Sequence, residues 1–135
     1  AVEKASLSVT NIPDVYYELD ATNPAAPYTA GGGTYVSRLI WLAGGRIITG
    51  RNSDAWITIS LEQLLVEDPD IIILGDAAYG ETPEKVAVRP GWDALTAVRT
   101  GQIFPIDDNL VSRPGPRLVD GLEAMVELIH PGLMK

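Results

Sequence analysis

The chain has 135 residues, a length that fits one domain and is short for two. Its 46% hydrophobic and 21% charged residues are typical of a globular protein, neither disordered nor fibrous. The formal net charge of −8 argues against a nucleic-acid-binding surface and against docking on anionic lipid, because both need a basic face. With no cysteine, the sequence excludes a disulfide framework, a thiolate nucleophile and a zinc–thiolate site.

The predicted elements alternate between strands and helices. Four segments rich in strand-forming residues are predicted as strands: 15–19, 46–49, 70–75 and 102–106. The segment 70–75 contains a continuous apolar run, as in a strand that is covered on both faces of a parallel sheet. Pro105 has no N–H group to donate to a neighbouring strand, and this favours an edge position for the last strand.

Three helices are predicted between and after these strands. The first covers residues 34–43, with Thr34 as its N-cap and with Val36, Leu39, Ile40 and Ala43 at helical spacing. The second begins at the capping box Ser60-Leu61-Glu62-Gln63, ends at Pro69 and has a predicted buried stripe of Leu61, Leu64 and Leu65. The third begins at Pro116 and ends at Pro131-Gly132, with an apolar stripe of Leu118, Leu122, Met125 and Ile129. This order predicts an α/β fold, a three-layer α/β/α sandwich with a mostly parallel central sheet.

The candidate site lies beyond the carboxyl ends of the strands, where open parallel sheets bind ligands. The segments 20–33, 50–59, 75–81 and 107–115 follow the predicted strands, and together they hold aromatic and polar side chains. These are Tyr28, Thr29, Arg51, Asn52, Asp54, Trp56, Asp76, Tyr79, Asp107, Asp108 and Arg113. Such a rim is typical of a site for a large organic ligand, and the alternative is that the aromatic residues hold long loops in place.

The glycine run before the first helix and the single histidine are both interpreted as structural, not as parts of a catalytic or nucleotide site. The run Gly31-Gly32-Gly33 lacks the third glycine of a dinucleotide fingerprint, so we favour a tight turn into the helix over a backbone that approaches a ligand. His130 is the only histidine and ends a helix, so neither a serine triad nor a cysteine-protease site is expected. An α/β enzyme that uses the carboxylates of Asp54, Asp76 and Asp108 remains one alternative, and an interaction domain without a small ligand remains another.

A set of motifs in order along the chain resembles a known family. The motifs are Tyr17-Glu18-Leu19-Asp20, the stretch from Tyr28 to Tyr35, Leu42-Ala43-Gly44-Gly45, the stretch from Ser60 to Leu65, Asp68-Pro69-Asp70, Arg89-Pro90-Gly91-Trp92, the stretch from Ala97 to Gly101, and the stretch from Ser112 to Leu122. Together they resemble the C-terminal lobe of the cobalamin and ferric-siderophore class (class III) of ABC-transporter substrate-binding proteins, from about Val15 to Gly132.

The resemblance implies a domain organisation and a location. Residues 1–135 would form a single α/β domain, the C-terminal lobe of a two-lobed periplasmic binding protein, without the N-terminal lobe and the linking helix. The whole protein would be extracytoplasmic, either periplasmic or lipid-anchored at the cell surface. It would not be an enzyme and would deliver its ligand to an ABC permease in the membrane.

The resemblance also implies roles for individual residues. Trp56 resembles a cleft tryptophan of cobalamin binders, although Ile57 stands where the family often has proline. Arg113 matches a cleft arginine that contacts ligand, and Glu62 matches the acidic residue that pairs with permease arginines. With Trp56 and Arg113 we group, as candidate ligand-binding residues, Tyr28, Thr29, Gly32, Tyr35, Arg51 and Asn52.

The expected ligand is a corrinoid such as cobalamin, or a ferric siderophore, and the net charge favours the corrinoid. No resident cofactor and no metal site are expected, because the ligand is the transported cargo. A single lobe forms only one wall of the cleft. We therefore expect weak ligand binding by the isolated chain, and self-association through the apolar area that the other lobe would cover.

Overall fold

A six-stranded sheet lies at the centre of the fold in the computed structural model, which describes residues 12–52, 55–107 and 118–129, with only the backbone described at Trp56, Leu118 and Val119. The strands are β1 (Asp14–Asp20), β2 (Tyr28–Ala30), β3 (Arg46–Ile47), β4 (Trp56–Thr58), β5 (Ile71–Leu74) and β6 (Ile103–Pro105). Their order across the sheet is β4-β2-β1-β5-β6, and β3 pairs with the amino-terminal part of β1.

The sheet is mixed, with more antiparallel pairing than the sequence predicted. β1 runs parallel to β3 and to β5, and β5 runs parallel to β6. β2 is antiparallel to both β1 and β4. Neither β2 nor β4 was predicted, because each has only three residues, too few to show a periodic pattern. The edge position predicted for the strand that contains Pro105 is confirmed in the described sheet.

Five helices are described, and they pack beside the sheet. They are α1 (Tyr35–Leu42), α2 (Leu61–Glu67), α3 (Pro83–Ala87), α4 (Thr96–Arg99) and α5 (Leu118–Ile129), and 3-10 turns lie at Ala77–Tyr79 and Trp92–Ala94. Both predicted N-caps are confirmed. The Thr34 hydroxyl accepts a hydrogen bond from the N–H of Ser37, and the Ser60 hydroxyl accepts one from the N–H of Gln63.

The predicted helices agree with α1, α2 and α5, with one error in the buried stripe of α2. Leu64 is fully buried, but Leu65 is exposed and Leu61 is only partly buried. Adjacent residues of a helix project about 100° apart, so the face that buries Leu64 leaves Leu65 turned towards solvent. Helices α3 and α4 were not predicted, since elements of four or five residues carry no clear helical period. The predicted ends of the third helix lie outside the described residues.

Two apolar cores lie on opposite faces of the sheet, which confirms the three-layer α/β/α sandwich. On the first face, Val15 and Tyr17 of β1 pack with residues of α1 and α5. On the second face, Tyr16 of β1 packs with Leu64 of α2 and with Trp92. Successive β1 side chains therefore enter different cores, as the two-residue period of a strand requires. In the described part of the chain, no helix has both the length and the apolar character needed to cross a membrane.

A candidate ligand site at the carboxyl ends of β1 and β5

The parallel strands β1 and β5 end at the same edge of the sheet, and a cavity of about 530 Å³ opens there. We call it the carboxyl-edge cavity. Its lining includes Asp20, Thr22, Tyr28, Asp76, Tyr79 and Glu81. The aromatic side chains are accessible, because Tyr28 is 50% exposed and Tyr79 is 88% exposed. The sequence prediction of a ligand site beyond the strand ends therefore agrees with an open cavity at this edge.

A buried ion pair lies beneath this cavity. Glu18, near the end of β1, is fully buried, and the Arg89 guanidinium donates to both of its carboxylate oxygens, at 2.7 and 2.9 Å. Arg89 also donates to Glu81 at 2.8 Å, and Glu81 lines the cavity wall. This bidentate pair fixes the planes of both groups and joins β1 to the wall of the cavity.

Aromatic side chains complete the surroundings of Arg89. The guanidinium carbon lies 4.5 Å from the centroid of the Trp92 ring, a cation–π contact, and the Tyr16 hydroxyl donates to Glu18 at 2.9 Å. Gly91 makes this geometry possible. Its φ of +83° is a left-handed conformation that favours glycine, and it turns the chain between Arg89 and Trp92. Burial, and next the Glu18 carboxylate, raise the pKa of Tyr16 well above its usual value.

Trp92 also holds one wall of the cavity in place. Its indole N–H donates at 3.0 Å to the carbonyl oxygen of Pro24, in the loop between β1 and β2. In the same loop, the carboxylate of Asp20 accepts from the N–H of Thr22 at 2.7 Å. That hydrogen bond lowers the pKa of Asp20. The loop is therefore ordered by the core and by its own hydrogen bonds.

Asp76 is the unusual group of the site. It follows β5, is only 3% exposed, and neither of its carboxylate oxygens accepts a hydrogen bond from a described residue. Burial, and next the neighbouring Glu18 carboxylate, raise its pKa from 3.8 to about 8. Asp76 therefore carries a proton at neutral pH, when an ordinary aspartate is ionised.

The structure separates the sequence-predicted binding residues into different places. Tyr28 lines the carboxyl-edge cavity. Gly32 and Arg51 line a second cavity of about 710 Å³, beside Arg38, Trp41 and Arg46. Arg51 and Asn52 also line a third cavity of about 410 Å³. The structure therefore does not bring these residues together in one described site.

Three of the predicted residues have structural roles in the described chain. Thr29 is fully buried, and its hydroxyl donates to the carbonyl oxygen of Tyr17 at 2.7 Å. Gly32 donates from its N–H to the carbonyl of Asn52 at 2.7 Å, and a Cβ there would overlap the Gly50 carbonyl. Tyr35 is partly buried and packs against the first core. The turn interpretation of the glycine run therefore agrees with the structure.

Four of the predicted positions can be described only in part or not at all. Trp56 begins β4, where its backbone pairs with Ala30, so it is not in a loop after a strand as predicted. Its side chain lies outside the described residues, as do Arg113, Asp54 and Asp108. His130 lies outside them too.

Glu62 is exposed in the first turn of α2, as expected of a docking residue.

The sequence analysis missed Glu18, Arg89 and Trp92 as parts of the site. The signal was a charged residue inside the apolar strand 15–19, together with the motif Arg89-Pro90-Gly91-Trp92. A fully buried glutamate requires a partner of opposite charge. That requirement could have directed attention to an arginine that lies next to an aromatic residue.

The chain belongs to the periplasmic binding protein family, whose model matches residues 2–110. An uncharacterised ABC-transporter substrate-binding lipoprotein of Bacillus subtilis is 30% identical over 112 residues, which is 80% of this chain and 33% of the relative. A cobalamin-binding protein of Halobacterium salinarum is 28% identical over 123 residues, covering 87% of this chain and 32% of that protein. The resemblance inferred from the ordered motifs is confirmed at the level of the family.

A solved structure supports the fold. The crystal structure of a possible iron-binding periplasmic solute-binding protein from Staphylococcus epidermidis matches with a TM-score of 0.81 and 24% identity. The match covers 96% of this chain and 49% of that chain. This chain spans about a third of the length of the curated relatives named above.

Proposed function

We propose that this chain is the C-terminal lobe of a substrate-binding protein that delivers a corrinoid or a ferric siderophore to an ABC importer. The observation that carries the proposal is the open cavity at the carboxyl ends of β1 and β5, in a chain that belongs to the periplasmic binding protein family. The relative named for cobalamin supports the first of these cargo classes. The whole protein works outside the cytoplasm, in the periplasm or lipid-anchored at the cell surface.

The proposed lobe binds its cargo and does not transform it. Asp76 has a pKa close to that of a general acid or base, but its carboxylate oxygens are buried away from the cavity space. A catalytic carboxyl must come within hydrogen-bond reach of the reacting group. The geometry therefore favours binding over the enzyme alternative.

The direct test is a ligand titration of the two-lobed parent protein. We expect cyanocobalamin or a ferric trihydroxamate to raise its melting temperature, because a ligand that binds only the folded state stabilises it by RT ln(1 + [L]/Kd). The ligand should be recovered chemically unchanged. A parent protein that shows no thermal shift with either cargo class would contradict the proposal, as would turnover of the ligand.

The proposed partner is the membrane permease, and Glu62 is the proposed contact. The residue is exposed on α2, and the carboxyl-edge cavity does not include it among its lining residues. Charges at the rim of an interface mainly set the association rate and the orientation of docking. In the parent protein, Glu62→Arg should leave the ligand Kd within about twofold and slow uptake by reconstituted vesicles, most strongly at low salt.

A matched control for this test is Glu67→Arg, which makes the same change of charge at an exposed residue at the other end of α2. We expect Glu67→Arg to have the smaller effect on uptake. If Glu62→Arg transports normally, or if both variants reduce uptake equally, Glu62 is only a charge at the end of a helix and the docking role is wrong.

A further inference from the structure

The carboxyl-edge cavity has a one-sided charge. Among the described residues that line it, three are acidic, Asp20, Asp76 and Glu81, and none is a lysine or an arginine. The arginine behind the cavity wall, Arg89, is buried and already paired with Glu18 and Glu81. Arg89 therefore has no accessible donor to offer a ligand, and the cavity keeps a negative electrostatic field.

Asp76 lies in the same acidic surroundings. It is more than nine-tenths buried, and both a hydrogen bond with Glu18 and the charge of Glu18 raise its pKa. The charged and titratable groups that influence it are Glu18 and Tyr16 on β1, Glu81 on the cavity wall, and Arg89 after α3. Burial, Glu18 and Glu81 all raise its pKa, although Arg89 pairs with both glutamates.

Accessible aromatic faces accompany these carboxyl groups. Tyr28 and Tyr79 line the same cavity as Asp20, and half or more of each side chain is exposed. Aromatic faces attract cations, and they attract organic ammonium groups in particular. The Asp20 carboxylate beside these two tyrosines is complementary to a positively charged organic group. The same carboxylate repels a ligand that presents a carboxylate, a phosphate or a catecholate.

We propose that the carboxyl-edge cavity is a subsite for a positively charged organic group of the cargo, of the alkylammonium class, which contacts Tyr28, Tyr79 and Asp20. This inference rests on the proposed function and narrows its substrate class, because it excludes cargo that presents an anion at this end of the cleft. Asp76 does not touch the bound group and acts on it only in its ionised form, through its charge.

The proposal has a consequence for proton binding. A cation in the cavity stabilises the ionised form of Asp76 and therefore lowers its pKa, so the cation and the proton compete. Binding of the cation must then become tighter as the pH rises towards about 8, the pKa of Asp76 in the empty cavity, and level off above that pH. An anionic ligand would show the opposite dependence, and a neutral ligand would show almost none.

The test uses three probes with one aromatic ring and different charges: benzyltrimethylammonium, benzyl alcohol and benzoate. Each is titrated into the isotope-labelled chain, and binding is read from the NMR shifts of the amides of Ala21, Thr22 and Tyr79. We expect the cation to bind at least about tenfold more tightly than the alcohol, with no saturable shift for benzoate. Between about pH 7 and pH 9 the Kd of the cation should fall about fivefold, as expected if the cation lowers the pKa by about one unit.

Variants separate the roles of the carboxyl groups. Asp76→Asn should bind the cation normally at neutral pH and should lose the pH dependence. Asp20→Asn keeps the side-chain acceptor for Thr22 and should weaken cation binding about fivefold. Asp93→Asn removes the same charge from an exposed residue outside the cavity and should change the Kd by less than about twofold.

Several results would overturn the proposal without relying on any variant. They are equal binding of the three probes, a preference for benzoate, and no saturable shift with the cation. An unchanged pH dependence in Asp76→Asn would also overturn it. Failure of the proposed function is distinguishable, because that function is tested with cyanocobalamin and a ferric trihydroxamate on the two-lobed parent, whereas the subsite is tested on this chain alone.

Discussion

The two faces of the sheet are built from the same strands but differ in chemistry. On the first face, Val15 and Tyr17 of β1 meet Ile71 and Ile73 of β5 in an apolar core under α1 and α5. On the second face, alternate residues of the same strands place Tyr16 and the carboxylate of Glu18 beside Arg89 and Trp92. The first face thus stabilises the fold by burial of apolar area, and the second includes buried charges that reach the cavity.

The second face shows how a site can be fixed to a core. A buried ion pair is weak evidence for stability, because the desolvation of both charges offsets their attraction. Its geometry is nevertheless strict, since Arg89 donates to both oxygens of Glu18 and also to Glu81. We infer that the network on the second face mainly sets the position of the cavity wall, while the apolar cores of both faces stabilise the fold.

The largest expected effect comes from breaking the buried pair of the second face. Arg89→Leu leaves the Glu18 carboxylate fully buried without its cation, which should lower the free energy of unfolding by about 3–5 kcal/mol. The matched control is Arg46→Leu, which breaks the Arg46–Asp14 pair, with side chains 59% and 34% exposed. That exposed pair should be worth less than about 1 kcal/mol.

Urea denaturation at neutral pH measures the free energy of unfolding of both variants. The double variant Glu18→Leu/Arg89→Leu should recover most of the lost stability, because it leaves no unpaired buried charge. If Arg89→Leu and Arg46→Leu lower the free energy of unfolding equally, the second face does not depend on its ion pair. The two faces of the sheet would then not differ in the role of buried charge.

An effect of comparable total size, spread over several pH units, should appear in the pH dependence of stability. The pKa of Asp76 is about 8 in the folded protein and about 3.9 in an unfolded chain, so the folded state keeps a proton that the unfolded state loses. The contribution of Asp76 is thus complete below about pH 4 and is lost as the pH rises towards 8. Asp76→Asn should remove this loss, which is at most about 1.4 kcal/mol per pH unit.

The measurement compares urea denaturation of the wild type and Asp76→Asn at several pH values between about 5 and 8. The stability of the variant relative to the wild type should increase steadily across this range. Asp93→Asn, in which an exposed aspartate changes, should follow the wild type. Parallel curves for the wild type and Asp76→Asn would show that Asp76 is ionised in the folded protein.

The smallest expected effects come from removing one helix N-cap on each face of the sheet. Thr34 caps α1 on the first face and Ser60 caps α2 on the second. Alanine at either position should lower the free energy of unfolding by about 0.5–2 kcal/mol. The loss should be larger in Thr34→Ala, because the Thr34 hydroxyl also donates to the carbonyl oxygen of Gly31 at 2.8 Å. Thermal unfolding of the two variants checks the order, and a larger loss in Ser60→Ala would contradict it.

The sequence predicts the middle of the sheet and the longer helices, because their patterns are local. The predicted strands 15–19 and 70–75 match β1 and β5 to within one residue at each end, and Thr34 marks the start of α1 correctly. The three-residue strands β2 and β4 depend on pairing with each other and with β1. Such pairing leaves no periodic signal in the sequence.

The site was harder to predict than the fold, for a similar reason. Glu18 and Arg89 are 71 positions apart along the chain, and only the packing of the second face brings them together. Asp76 was considered as a cleft carboxylate, but its burial beside Glu18 depends on the parallel register of β1 and β5. The general position of the cavity followed from the rule for parallel sheets, while its charge depends on contacts between distant residues.

The hydrogen bond from Trp92 to Pro24 bears on how this site can evolve. The acceptor is a main-chain carbonyl, which every amino acid provides, so the anchor of the loop does not depend on the side chains that the loop presents. Neighbouring positions such as Thr22, which lines the cavity, are therefore open to substitution while the loop stays attached to the core. Descendants of one scaffold can in this way acquire different specificities without rebuilding the sheet beneath.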